Sequence, residues 1–147
     1  MAAQRKVERR KLDLIFHQLT ERIKKMTKAI VAFYADSKCK AGIYYNSDGY
    51  VEGTGKLVSQ FLAKYPINDS MGALVGNYII DKEFQAYELA QNDMFQWAEY
   101  TYSIFYNRET KAIEKVEVKY GSKEVELMFT GNVQEYIKWV EDIYQDN

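Results

Sequence analysis

Gly42-Ile43-Tyr44-Tyr45-Asn46-Ser47-Asp48-Gly49-Tyr50-Val51-Glu52-Gly53-Thr54-Gly55-Lys56 is the stretch that decides how this chain is read. It begins as a strand. Asn46-Ser47-Asp48-Gly49 then has the residue types of a tight turn: Asn, Ser and Asp hydrogen-bond locally, and Gly49 permits positive φ. Gly53 and Gly55 bracket Thr54, which is placed to cap a helix over residues 55–65. That helix carries Leu57, Val58, Phe61 and Leu62 on one face, and Pro66 ends it.

Upstream, residues 4–26 read as one long helix. Leu12, Phe16, Leu19, Ile23 and Met26 recur at intervals of four, three, four and three, and Ile15 widens the stripe. Two uses fit such a stripe: packing on the body of the same chain, or pairing of helices between subunits, because the spacing also suits a heptad seam. Residues 29–35 are short and rich in β-formers, so they read as a strand. A polar loop over 36–40 leads into a second strand over 41–46. Downstream, residues 70–83 read as a helix in which Gly72, Ala73 and Gly76 would let another backbone approach. Residues 84–90 suit a short strand, and Asn92-Asp93 a turn.

The last third alternates with the period of half-buried strands. These are residues 97–107, residues 113–120 and, after a two-residue hairpin signal at Gly121-Ser122, a strand carrying Val125, Leu127 and Phe129. Asn132 then caps a final amphipathic helix. The expected architecture is α+β. An antiparallel sheet of five to six strands has helices packed on one face, with a basic amphipathic helix (1–27) preceding the α+β domain (28–147).

The net charge of −1 is unevenly spread. Residues 1–28 hold nine Lys/Arg against three Asp/Glu; the remainder holds eleven against eighteen. The two parts therefore meet different partners, or each other. One His and one Cys cannot furnish a zinc set, so neither a metal nor a cofactor is expected. Cys39 has no base near it in sequence. With no apolar run long enough for a membrane span and no signal-like start, the expectation is a cytoplasmic protein with no membrane partner. Lys56 and the helix start would draw an anion. A nucleotide P-loop is excluded, because the glycine spacing is one residue too long and Leu57 stands where Ser or Thr must meet the metal.

With these residues laid out, the chain resembles a family of small uncharacterised proteins of bacteria, archaea and their phages. Members carry a strand, a His-Trp-Asp-Gly-Tyr-Pro-type turn with Gly-x-Gly after it, a helix, a Met-Gly helix and a Glu-Tyr-x-Tyr strand. Here Tyr44, Asp48, Gly49, Tyr50, Gly53 and Gly55 match the turn, Met71 and Gly72 the helix, and Glu99, Tyr100 and Tyr102 the strand. The likeness spans residues 28–120, leaving both terminal helices outside it. Asn46-Ser47 replaces the family's His or aromatic residue and Val51 its Pro, so any histidine-dependent chemistry would be lost here. The resemblance implies a phage setting and brings no activity with it.

Four functions are then weighed. The first is a non-catalytic binding protein, phage-encoded and acting on a host protein or defence system, with Arg5, Arg9, Arg10 and Lys11 at the partner. The second is a binder of a small nucleotide-like anion at Tyr44, Asp48, Gly49, Tyr50, Gly53, Gly55 and Lys56. The third is an enzyme using Asp48 or Glu52 as acid or base, joined by Tyr50 or Glu99. The last is nucleic-acid binding through residues 5–11, which the acidic remainder opposes. A homo-oligomer through the first helix fits any of them.

Overall fold

The computed structural model describes residues 2–82, 87–89, 95 and 97–145. A long helix α1 (Ala2–Met26) precedes strands β1 (Ala29–Ala35) and β2 (Lys38–Tyr45). A wide π-type turn (Val51–Gly55) leads into α2 (Lys56–Lys64), followed by α3 (Met71–Asp81). Then come β3 (Tyr87–Leu89), β4 (Tyr100–Asn107), β5 (Ala112–Tyr120), β6 (Glu126–Gly131) and α4 (Val133–Gln145). The strands form one sheet in the order β3-β2-β1-β4-β5-β6. This is the α+β class expected. The rest of the expected 84–90 strand, and the turn at Asn92-Asp93, lie outside the described residues.

The sheet is mixed rather than wholly antiparallel. β1 and β4 run parallel, from Ala29 opposite Tyr100 to Tyr34 opposite Phe105, while the other pairings are antiparallel. Hairpins fix direction locally, but a strand that returns after two helices can arrive either way round. The first hairpin is tighter than its composition suggests. Asp36 and Ser37 both take left-handed φ (54° and 64°), the geometry of a primed two-residue turn, so β2 already begins at Lys38. At the other end, residues 121–125 form the β5–β6 link, and Val125 lies before β6 rather than in it.

β1 is central and its side chains are buried on both faces apart from Tyr34, which is half-buried. One face, from Val31 and Phe33 through Tyr102 and Ile104 to Val116 and Val118, packs under α2, α3 and α4. Tyr78 of α3 sits edge-on to Phe33 and Phe61, and its hydroxyl is 2.6 Å from that of Tyr45. The opposite face holds a smaller cluster of Ile30, Ala32, Tyr44 and Ala98.

The caps follow from the residues. Ser70 accepts from the Ala73 N–H at 3.0 Å. Asn132 and Glu135 make reciprocal side-chain to backbone bonds of 2.9 and 3.0 Å, a capping box. The glycines of α3 admit no close backbone: a methyl group at Gly76 would meet nothing within 4 Å. Residues 3–19 of α1 are exposed and Thr20 is half-buried, and the helix shares no extended contact with another described element. Packing of its stripe on the body of the same chain is therefore overturned. Ile23 belongs to a stretch (21–25) whose side chains lie outside the description.

Candidate functional site

The 46–56 turn is built by close approach. Gly49 donates its N–H to Thr27 O at 2.8 Å, and a Cβ there would stand 2.7 Å from the Lys28 carbonyl carbon. The left-handed residue is Asp48 (φ 56°), so Gly49 supplies space where positive φ was expected of it. Gly53 is needed for the same reason, because a Cβ on it would run into the Asp48 carbonyl oxygen.

That oxygen is also the hub of the turn. It accepts from the Thr54 N–H at 2.8 Å and from Thr54 Oγ1 at 3.0 Å, while Tyr50 O accepts from Gly53 and Gly55 N–H at 3.0 and 3.4 Å. Thr54 thus ties the turn together instead of capping a helix. The chain is already wound through 51–55, and Gly55, the residue before α2, has helical φ and ψ and no side-chain cap.

Two tyrosines far away in sequence clamp this loop. Tyr102 on β4 donates to Gly49 O at 2.8 Å, and Tyr136 on α4 donates to Gly55 O at 2.7 Å. Both hydroxyls are buried, and burial pushes their ionisation far above the ordinary tyrosine range. For Tyr102 the neighbouring Tyr136, Tyr100 and Glu52 add to that push. Among 13 tyrosines the resemblance marks Tyr102 as a strand residue, with no role attached, and nothing in the sequence marks Tyr136 as part of the turn. The one usable signal is that a tyrosine at an inward strand or helix position must find an acceptor for its hydroxyl.

The residues expected to gather around an anion are separated. Tyr44 lies in the cluster on the opposite face of the sheet. Lys56 turns to α4, donating to Tyr144 OH at 3.0 Å with its ammonium 4.6 Å from that ring. The N–H groups of Gly53, Thr54 and Gly55 are engaged within the turn. What gathers at this end of the sheet is acidic. Asp48 is exposed, Glu52 is half-buried, and Glu99 accepts the Lys28 N–H at 2.8 Å. Arg5, Arg9, Arg10 and Lys11 all stand exposed on α1, away from the sheet.

A concavity of about 280 Å³ lies beside the β1–β2 hairpin, lined by Tyr34, Asp36, Phe105 and Lys115 among others. Asp36 pairs with Arg108 at 2.9 Å, Lys115 lies over the Phe105 ring and pairs with Glu117 at 3.1 Å, and Glu114 accepts from the Asn107 amide at 3.2 Å. Cys39 nearby is exposed as a residue, but its sulfur is partly shielded, and that desolvation raises the thiol pKa, leaving less thiolate at neutral pH. Among the described residues, no three His, Cys, Asp or Glu side chains converge as a metal site, and no helix is long and apolar enough to cross a membrane. Neither a family model nor a curated protein nor a solved structure matches the chain.

Proposed function

We propose that this is a non-catalytic binding protein whose partner is another protein, met through α1 and its basic residues Arg5, Arg9, Arg10 and Lys11. The observation that carries this reading is the exposure of α1, an ordered helix with apolar and cationic side chains set out in solvent. A helix presented in this way is a known means of protein recognition, its charges steering the encounter and setting orientation. The resemblance to phage-borne proteins supports a host protein or a component of host defence as the target. The anion-binding reading is less favoured, because the donors it needs are spent within the turn and the local charge is negative.

Affinity capture of the full chain from nuclease-treated expressing cells, followed by reconstitution with the purified captured protein, tests the proposal. The expected result is one protein retained by wild type and by Asp48→Asn, and lost with the pair Arg10→Glu and Lys11→Glu. If no protein depends on that pair for its retention, the reading falls. Retention that disappears on nuclease treatment and weakens steeply with salt would assign the basic residues to nucleic acid instead.

A further inference from the structure

We infer that a second copy of this chain covers the apolar stripe of α1, as an antiparallel helix pair centred between Phe16 and Leu19. Leu12, Phe16, Leu19 and Met26 are 65, 73, 50 and 72% exposed. With Ile23 between them in the sequence, they hold the alternating spacing of heptad seam positions. Within one chain nothing described lies over them. The inference shares α1 with the partner-binding proposal: it takes the apolar stripe, Arg5 and Arg9 and leaves Arg10 and Lys11 to the partner, so substitutions at those two residues and in the stripe test the two readings apart.

Charge sets the direction. If Leu12 and Leu19 occupy d positions and Phe16 an a position, Arg9 falls at a and Arg5 at d. A parallel pair would stack each of these arginines on its own copy and bring Glu8 beside Asp13 of the other helix, like charge against like. An antiparallel pair with Phe16 opposite Leu19 of the second copy removes all three clashes. In that register Arg9 lays its aliphatic stem on Met26.

The same register accounts for the segregated charge. Beyond the layer of Arg9 and Met26, the first turns of each helix run past the end of the other helix, alongside residues 27–30 of the second copy. At that end of the body Asp48, Glu52 and Glu99 outnumber the cation Lys28: Gly49 bonds to Thr27, Glu99 accepts from Lys28, and Glu52 and Glu99 both act on Tyr100. Arg5 and Lys6 of one copy thus approach the carboxylates of the other. The seam overlaps for only about 27 Å, short for a coiled coil, so these charged ends are needed to hold it. Arg10 and Lys11 remain on the outer side, available to a different partner.

Sedimentation of the full chain over a dilution series should show twice the 17.2 kDa mass at high concentration, with dissociation promoted by salt. The pair Phe16→Glu and Leu19→Glu should be monomeric throughout with an unchanged aromatic circular dichroism spectrum. A second pair, Asp48→Asn and Glu52→Gln, leaves α1 intact and should raise the dissociation constant by about tenfold at low salt. For direction, Arg9→Cys and Met26→Cys chains, each also carrying Cys39→Ser, should join in a mixed disulfide. Arg9→Cys alone should not self-link, its two sulfurs lying about 25 Å apart along the pair. A wild-type monomer at every concentration overturns the inference. So does self-linking of Arg9→Cys in preference to the mixed bond, or a dissociation constant indifferent to the two acidic substitutions.

Discussion

Tyr102 and Tyr136 do for the loop over 49–55 what a neighbouring strand does for a strand: each supplies a buried donor to a carbonyl with little access to water. Removing one hydroxyl deletes a bond while keeping the ring in the core. Tyr136→Phe is therefore expected to lower stability by about 1–2 kcal/mol in urea unfolding at neutral pH, with the fold retained. Glycine at 49 is a matter of space. The atoms a methyl group would meet belong to the Lys28 and Ala29 backbone and to the Ala29 Cβ, none of which is a flexible side-chain end. Gly49→Ala should cost about 1–3 kcal/mol. Gly76→Ala, in open space on a helix, should instead add up to about 1 kcal/mol. The same urea melts check both, and a neutral Gly49→Ala would mean that the turn is looser than its packing implies.

At the scale of the element, β6 shows where periodicity stops being informative. Leu127 and Phe129 share one face of an unbroken strand, and alternation alone sends both inward. Pairing with β5 breaks that symmetry: Phe129 lies opposite Val118 but Leu127 lies opposite Lys119, with Met128 as the extra residue of a bulge. Phe129 packs on Tyr136 and Trp139, whereas Leu127 is left exposed. Leu127→Ser should accordingly change stability by less than about 0.5 kcal/mol, and Phe129→Ala should cost at least about 2 kcal/mol. Equal costs would mean that the bulge does not form in solution.

What could be read from sequence divides along this line. The amphipathic period of α2, the Asn132 cap and the alternation of β4 and β5 are encoded within a few residues, so they are legible. The bulge, the parallel pairing of β1 with β4 and the two tyrosine clamps depend on partners dozens of residues away. At the turn, the residue types of Asn46-Ser47-Asp48-Gly49 announce a bend, but the left-handed residue is Asp48, and the spatial reason for Gly49 lies in the path of residues 27–29. The placement of Tyr44 on the opposite sheet face follows from register, which a motif cannot express.

At the scale of the molecule, the two clamps link folding to alkaline pH. Burial raises the ionisation of Tyr102 and Tyr136 well above their ordinary value of 10.0 in the folded chain. Below pH 10 both the folded and the unfolded chain keep these protons, and the clamps contribute fully. As pH rises past 10 the unfolded chain releases them and the folded chain cannot, so unfolding is favoured by about 1.4 kcal/mol per pH unit for each tyrosine. Half-buried Tyr34 and Tyr100 are shifted in the same direction, also mainly by burial, and steepen the fall. Tyr136→Phe removes one of the titrating groups along with its hydrogen bond. Its deficit relative to wild type, present at pH 8, should therefore shrink by about 1.4 kcal/mol by pH 11, because only wild type still carries that linkage. Urea midpoints of the two proteins across this range would converge. Curves that stayed parallel would show that the Tyr136 hydroxyl ionises in place, and so that the end of the turn against α4 is open to water.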